Sequence, residues 1–234
     1  LHLLSRRQRQ MCIRDSNQGD YEKALGQNAA ANAISKVLYP NDNHLEGKSL
    51  RLRQQYFLCA ASVGDIVNNH MSVYGTLDNL HEKVAIHIND THPTLAIPEL
   101  MRVLLDDCGY TWDKAWHIVT NTFAYTNHTV MAEALEKWPR HYLDTVVPQL
   151  MPIIEKLDDI AKTRTTDSSL AIIDQNQVVH MAHMDIHFSH STNGVAALHT
   201  QILKESELAG FYQMYPNKFN NKTNGITFRR WLLE

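Results

Sequence analysis

Lys83-Val-Ala-Ile-His-Ile-Asn-Asp-Thr-His-Pro93 is the stretch that decides the fold. Its first half, through Ile88, is a short run with β-branched residues, which favours a strand. Asn89, Asp90, Thr91, His92 and Pro93 follow as a polar loop. Leu100, Val103 and Leu104 then recur at helical spacing, and the pattern stops near Gly109. Strand, polar loop and helix in that order build open α/β sheets, whose ligands collect at the carboxyl ends of the strands. The fold class read from this unit is α/β.

Working outward, two helices are expected upstream, Tyr21 to Val37 and Leu50 to Val67. The turn-rich Tyr39-Pro-Asn-Asp-Asn43 lies between them, and a looser stretch follows from Asn68 to Glu82. Downstream, Thr111 is placed to cap a helix carrying Trp112, Ala115, Trp116 and Val119 on one face. Phe123 to His128 reads as extended, and Val130 to Trp138 as a helix ended by Pro139. Leu143 to Ile160 is helical but broken by Pro148 and Pro152. After a polar linker from Thr163 to Ser169, Leu170 to Ile173 and Val178 to Ile186 read as two strands joined across Asp174 to Gln177. A His/Ser/Asn loop from His187 to Gly194 leads into a helix from Val195 to about Glu207. Leu1 to Ser16 is basic, matches nothing downstream and is read as an end foreign to the domain, which leaves residues 17–234 as one unit.

A net charge of -3 gives no electrostatic reason to expect nucleic acid or an anionic membrane as partner. No apolar run approaches the roughly 18 residues of a membrane span. Three widely spaced cysteines without a CxxC argue against a disulfide framework and for a reducing, cytoplasmic setting. N-x-T sequons at Asn89, Asn127 and Asn221 are read as chance matches.

Fourteen histidines are many for this length, and they cluster at His81, His87 and His92 and again at His180, His183, His187 and His190. The second cluster has spacings that would converge on a metal if helical. On the extended reading of Val178 to Ile186, however, His180 and His183 face opposite sides, so no metal site is expected. Neutral imidazoles also suit polyols, because each can donate and accept a hydrogen bond. Four loops combine His, Asn, Thr and Asp in this way: Asn89 to Pro93, Ala124 to Thr129, His187 to Gly194 and Asn220 to Trp231. Such groups converging on a concave site fit sugar hydroxyls. The same residue types also serve turns and helix caps, so each loop alone has a purely structural reading. No nucleophile elbow, phosphate-binding loop or dinucleotide glycine signature is present.

At these loops the sequence resembles the glycogen and maltodextrin (α-1,4-glucan) phosphorylase family. The matching segments are Val37 to Asn43, Lys83 to Val103 (KVAIHINDTHPTLAIPELMRV), Thr122 to Val130, Glu133 to Pro139, Asn193 to His199 and Asn221 to Leu232. They run in the family's order from about Gly19 onward. The resemblance implies a two-domain enzyme of the glycosyltransferase B type with Rossmann-like domains, of which this chain is the later part of the first. It implies phosphorolysis of terminal α-1,4-glucosyl units by inorganic phosphate, giving glucose 1-phosphate, in a cytoplasmic, homodimeric parent. Pyridoxal phosphate is implied as cofactor, on a lysine of the second domain, so the isolated chain is expected to be inactive.

Residue by residue, His128 resembles the histidine that binds the glucosyl 6-hydroxyl, with its carbonyl near the developing positive charge. Asn224 resembles the asparagine that shares that hydroxyl, and Val195 a residue lining the same pocket. Asp90 and His92 resemble the pair reaching toward the acceptor glucan, and Trp231 a residue near the cofactor. Two departures are visible. Phe228 stands where many members have proline, and the Asn68 to Glu82 stretch is shorter than in hormonally regulated animal enzymes, which puts allosteric control in doubt. A non-catalytic carbohydrate-binding module using the same loops is the alternative reading.

Overall fold

The computed structural model describes residue 19, residues 21–37 and residues 39–232, and within these the side chains of Ala24 and Trp231 are not described. The reading of residues 1–16 as a foreign end lies outside the described residues. The chain divides into two compact units, Leu1–Phe57 and Leu58–Glu234.

In the first unit, α1 (Tyr21–Lys36) ends before the expected turn. Tyr39 takes a positive φ of 47° there, and the Asn41 side chain accepts from the Asn43 N–H at 3.0 Å. The second helix, α2 (Leu45–Tyr74), is longer than its sequence pattern suggests at both ends and runs on into the second unit. Within that unit Cys59, Val63, Val67 and His70 form its buried stripe, at helical spacing. The stretch expected to be loose is thus helical through Tyr74 and resumes as α3 (Leu80–Lys83).

The second unit is built on a parallel sheet. β1 (Ile86–Asn89) leads through α4 (Ala96–Arg102), a π-turn (Val103–Asp107) and α5 (Trp112–Thr122) to β2 (Phe123–Thr126). Thr111 occupies the N-cap of α5 without a side-chain bond to it. β3 (Lys137–Pro139), α6 (Arg140–Val146), α7 (Met151–Arg164), β4 (Val178–His180) and α8 (Met181–Phe188) follow, and then β5 (Ser191–Gly194). From β5, α9 (Ala197–Ile202), a second π-turn (Leu203–Glu207) and α10 (Ala209–Met214) lead to β6 (Phe219–Asn221), and α11 (Phe228–Trp231) closes the described chain. The sheet order is β1-β2-β5-β6, with every pair parallel. Ile88, Phe123 and Tyr125 of the sheet and Ile97, Leu100, Met101, Ile118 and Val119 of the following helices are buried in its core. None of the helices is long and apolar enough to cross a membrane, among the described residues.

Several sequence expectations are corrected. Ser191–Gly194 is a central strand, not a loop. Its Thr192, Asn193 and Gly194 are buried, and their polarity disguised them. Val130 to Trp138 is not the continuous helix expected but holds only a single 3-10 turn, Ala132–Ala134. Asn127 Oδ1 accepts from the Thr129 N–H and Thr129 Oγ1 from the Met131 N–H, side-chain turns that compete with helix formation. Trp138 instead pairs with Val179 in a two-stranded antiparallel sheet of β3 and β4. Leu170 to Ile173 forms only an isolated bridge, Ile173 to Val179, because the buried carboxylate of Asp158 takes the Ile172 and Ile173 N–H groups at 2.9 and 3.0 Å. The proline-interrupted segment is split, with the break between α6 and α7.

The largest correction is at the second histidine cluster, where the strand stops at His180 and α8 takes over. Its apolar residues are buried all round, so helical and strand periods could not be told apart in the sequence. His180 and His183 therefore stack, with ring centroids 4.5 Å apart, rather than facing opposite sides. Their nitrogens serve the fold. His183 Nδ1 donates to Ala171 O at 2.7 Å. His187 Nε2 donates to Leu170 O at 2.9 Å and its Nδ1 accepts from the Tyr215 hydroxyl. Burial pushes both His183 and His187 down to about 4. The unfolded chain, with ordinary imidazoles near 6.5, therefore binds more protons than the folded one between these values. Stability should fall as pH drops from about 6.5 toward 4, by up to roughly 3 kcal/mol per histidine. Melting wild type and His183→Asn from pH 7 to 4.5 checks this, with wild type losing ground to the variant as pH falls; parallel curves would refute it.

Candidate active site

The carboxyl ends of the four parallel strands fall on one edge, and the sequence places polar residues there in register. Asn89 of β1 is opposite Thr126 of β2, Thr126 opposite Asn193 of β5, and Asn193 opposite Asn220 of β6. A directed chain of hydrogen bonds crosses three of the strands. Asn193 Nδ2 donates to Gly194 O at 2.9 Å, and its Oδ1 accepts from Thr126 Oγ1 at 2.8 Å. A hydroxyl has one proton, so Thr126 Oγ1 in turn accepts from His87 Nε2 at 2.5 Å. This polar row explains how Ser-Thr-Asn-Gly can hold a central strand.

The candidate residues follow directly beyond this row. Asp90 continues the ladder by donating its N–H to Thr126 O at 3.0 Å, then turns away at a φ of 69°. A non-glycine residue there is sterically strained, and aspartate is among those that tolerate it best. Its Oδ1 accepts from the Thr91 N–H at 2.7 Å. Asp90 does not cap the next helix, since the N-cap of α4 is Leu95. Asp90 is half-buried, while His92, two residues on, is exposed.

Beyond β2, Asn127 is completely buried and donates its side-chain amide to the Tyr125 hydroxyl at 3.1 Å. Its backbone N–H reaches Asn193 O at 2.9 Å. His128 then emerges exposed, with Nε2 2.6 Å from Asn89 Oδ1. The amide oxygen can only accept, so Nε2 carries the proton and Nδ1 is left as an acceptor. Beyond β5, the Val195 N–H donates to His199 Nδ1 at 3.0 Å. The Val195 carbonyl accepts from the Asn224 N–H at 2.9 Å. Asn224 belongs to residues 221–230, every one of them exposed.

The structure therefore brings the candidates together in two pairs on one edge. Asn89 joins His128 to the Asp90 loop, and the backbone joins Val195 to Asn224. His128 spends its Nε2 on Asn89 rather than on Asn224. The Trp231 backbone lies in α11, and its side chain falls outside the described residues. Asn89, Thr126 and Asn193, which help hold these residues in place, lie within the loops singled out in the sequence but were given no role of their own there, and His199 lies outside those loops. The recurrence of Asn or Thr at the last or next-to-last position of each strand is the signal that points to the first three.

The carbohydrate phosphorylase family model matches residues 1–234. A glycogen phosphorylase of Bacillus subtilis is 50% identical over 211 residues, covering 86% of this chain and 26% of its own length. A maltodextrin phosphorylase of Streptococcus pneumoniae is 52% identical over 203 residues, covering 87% of this chain and 27% of its own. The muscle glycogen phosphorylase of Oryctolagus cuniculus is 45% identical over 240 residues, covering 94% and 28%. The chain spans about a quarter of the length of these relatives. With its parallel sheet and mixed α/β order in place, the chain belongs to the carbohydrate phosphorylase family.

Proposed function

We propose that the chain is the later part of the glucan-binding half of an α-1,4-glucan phosphorylase of the glycosyltransferase B type, with a Rossmann-like sheet. Its parent cleaves terminal α-1,4-glucosyl units with inorganic phosphate to give glucose 1-phosphate, as a cytoplasmic homodimer. The relatives' names supply glycogen and maltodextrin as substrate classes. The observation that carries the reading is the neutral, hydroxyl-matched donor and acceptor set beyond the strand ends, with His128 tied through Asn89 to the strained Asp90 loop.

In this reading His128 Nδ1 accepts a hydrogen bond from the glucosyl 6-hydroxyl, and the Asn224 side chain shares that hydroxyl. The His128 carbonyl dipole opposes the positive charge that develops as the glycosidic bond breaks. Val195, its N–H fixed by His199, lines the glucosyl pocket. Asp90 and His92 hold the acceptor end of the glucan.

Pyridoxal phosphate, the cofactor implied by the family resemblance, supplies proton transfer to the substrate phosphate when bound. Lys218 does not fit it. Burial pushes that ammonium down to about 8, which by itself would favour a reactive amine. The nitrogen is nevertheless buried against the backbone, with two of its three donors committed to Ile186 O and His187 O at 2.9 and 3.1 Å. We place the cofactor lysine outside this chain, keep Trp231 as a neighbour of the cofactor, and derive no step through the group. The 234-residue chain alone should accordingly release no glucose 1-phosphate from maltoheptaose and phosphate. Release above a blank would overturn that assignment.

Asp90→Asn in the full-length protein tests the acceptor role. Asparagine tolerates the same backbone and can keep the bond to the Thr91 N–H, so the melt should move by less than about 0.5 kcal/mol. Losing the charged acceptor should lower kcat/KM for oligosaccharide by about 1–3 kcal/mol, or roughly 5- to 150-fold. Unchanged kinetics with a lowered melting temperature would make Asp90 a structural residue only.

A further inference from the structure

Asp185 of α8 is completely buried, and the site described above does not use it. Its Oδ2 lies 2.7 Å from Thr94 Oγ1, which itself lies 2.7 Å from Thr91 O. Its Oδ1 has neither a partner nor contact with solvent. The Thr91 to Thr94 turn carries His92 and follows Asp90, so this contact ties α8 to the loop of the proposed acceptor site across 91 residues of sequence.

The threonine proton decides the protonation state. If Asp185 were ionised, Thr94 would have to donate to the carboxylate. The Thr94 oxygen and Thr91 O would then face each other at 2.7 Å with no proton between them. A full negative charge would also sit on a group with one oxygen unpaired in the interior, which is far more costly than an unpaired carbonyl oxygen. The ionisable groups facing Asp185 offer no compensation. They are Asp90 beyond β1, Glu136 before β3, Cys59 of α2 and Tyr125 of β2, none of them a cation. Burial keeps Cys59 and Tyr125 in their neutral forms, with the Cys59 thiol pushed up to about 12.

We propose that Asp185 is a neutral carboxylic acid whose Oδ2–H donates to Thr94 Oγ1, directing the Thr94 proton onto Thr91 O and so fixing the turn that holds His92. Asp185 is then a positioning residue for the Asp90 loop. Its effect on turnover rests on the proposed phosphorylase reading, whereas its protonation state does not. Burial, with Asp90 and Glu136 adding repulsion, holds the carboxyl well above the usual range in spite of the Thr94 bond.

The carboxyl 13C shift of Asp185 in the wild-type 234-residue chain tests the protonation directly. It should lie at the protonated position and stay flat from pH 5 to 8. An ionised shift at pH 7 would overturn the proposal. Thermal unfolding of wild type and Asp185→Asn over the same range gives a second reading. The amide can donate to Thr94 as the neutral acid does, and it does not ionise when unfolded. Above pH 4 the folded wild type holds one proton more than its unfolded chain, so its stability declines with rising pH relative to the variant. The wild-type folding constant should fall about tenfold per pH unit against Asp185→Asn. Parallel profiles would overturn the assignment.

For the positioning role, Thr94→Val in the full-length protein should raise KM for maltoheptaose about tenfold while kcat changes less than about twofold, whereas Asp185→Asn alone, whose amide can still donate to Thr94, should keep wild-type KM as the conservative variant. Wild-type KM in Thr94→Val would overturn the positioning role. A wild-type protein without phosphorolysis would instead sink the functional reading and leave the 13C result standing.

Discussion

Gly194→Ala should destabilise the chain by about 3 kcal/mol and lower its melting temperature by roughly 6–12 °C. Gly194 ends β5, in the middle of the sheet, and its backbone is conformationally ordinary, so what matters is space. A Cβ there would meet Thr200 Oγ1 at 2.4 Å, His199 Nδ1 at 2.8 Å and the Thr200 Cα at 3.0 Å. None of these can give way cheaply. The Thr200 hydroxyl is held between Ala196 O and Asn221 Oδ1, and His199 Nδ1 accepts the Val195 N–H. Relieving the clash therefore pushes α9 off the strand and loosens Val195 and Asn221, adding lost hydrogen bonds of about 1 kcal/mol each to the overpacking cost. A melt within 2 °C of wild type would show that α9 can shift freely and that the strand end is not rigidly set.

His128→Ala should have the opposite profile. The side chain is exposed and its one hydrogen bond goes to Asn89, so the fold should lose no more than about 1 kcal/mol. In the full-length protein, kcat/KM for phosphorolysis of maltoheptaose should fall by roughly 5- to 150-fold, about 1–3 kcal/mol, the scale for leaving one sugar hydroxyl without its partner while the backbone carbonyl stays in place. Part of that loss is indirect, because Asn89 is released and with it the tether to the Asp90 loop. Asn89→Ala should accordingly reproduce a fraction of the defect. If His128→Ala destabilised the fold while turnover per folded molecule held, the residue would be a structural strut.

The sequence disclosed the α/β class, the strand-loop-helix unit at Lys83 to Gly109 and the loops that carry the candidates, because these depend on local periodicity and turn chemistry. What it concealed has physical causes. Ser191–Gly194 carries only Thr192 as a local mark of a strand, and it is parallel pairing with β2 and β6, supported by the cross-strand bonds from His87 through Thr126 to Asn193, that makes it one. α8 passed for a strand because it is buried on all sides, which erases the amphipathic signal. Val130 to Trp138 has helical composition, yet Asn127 and Thr129 divert its first N–H groups into side-chain turns. The same logic applies at the site. His128 and Asp90 could be singled out by chemistry and family resemblance, whereas Asn89 and His199, which aim their neighbours, act through contacts that only the register creates.

On the proposed reading, the polar edge beyond β1, β2, β5 and β6 forms one glucosyl-binding surface, with His128 and Asn224 acting on the same hydroxyl. A double-mutant cycle tests it most directly. Glucose 1-phosphate release from maltoheptaose and phosphate would be measured for the full-length wild type, His128→Ala, Asn224→Ala and the double variant, with kcat/KM taken for each. Two residues sharing one hydroxyl should couple by about 0.5–3 kcal/mol, so the double variant should lose less than the sum of the single losses. Losses that add within about 0.3 kcal/mol, or a wild type that releases no glucose 1-phosphate, would contradict the account.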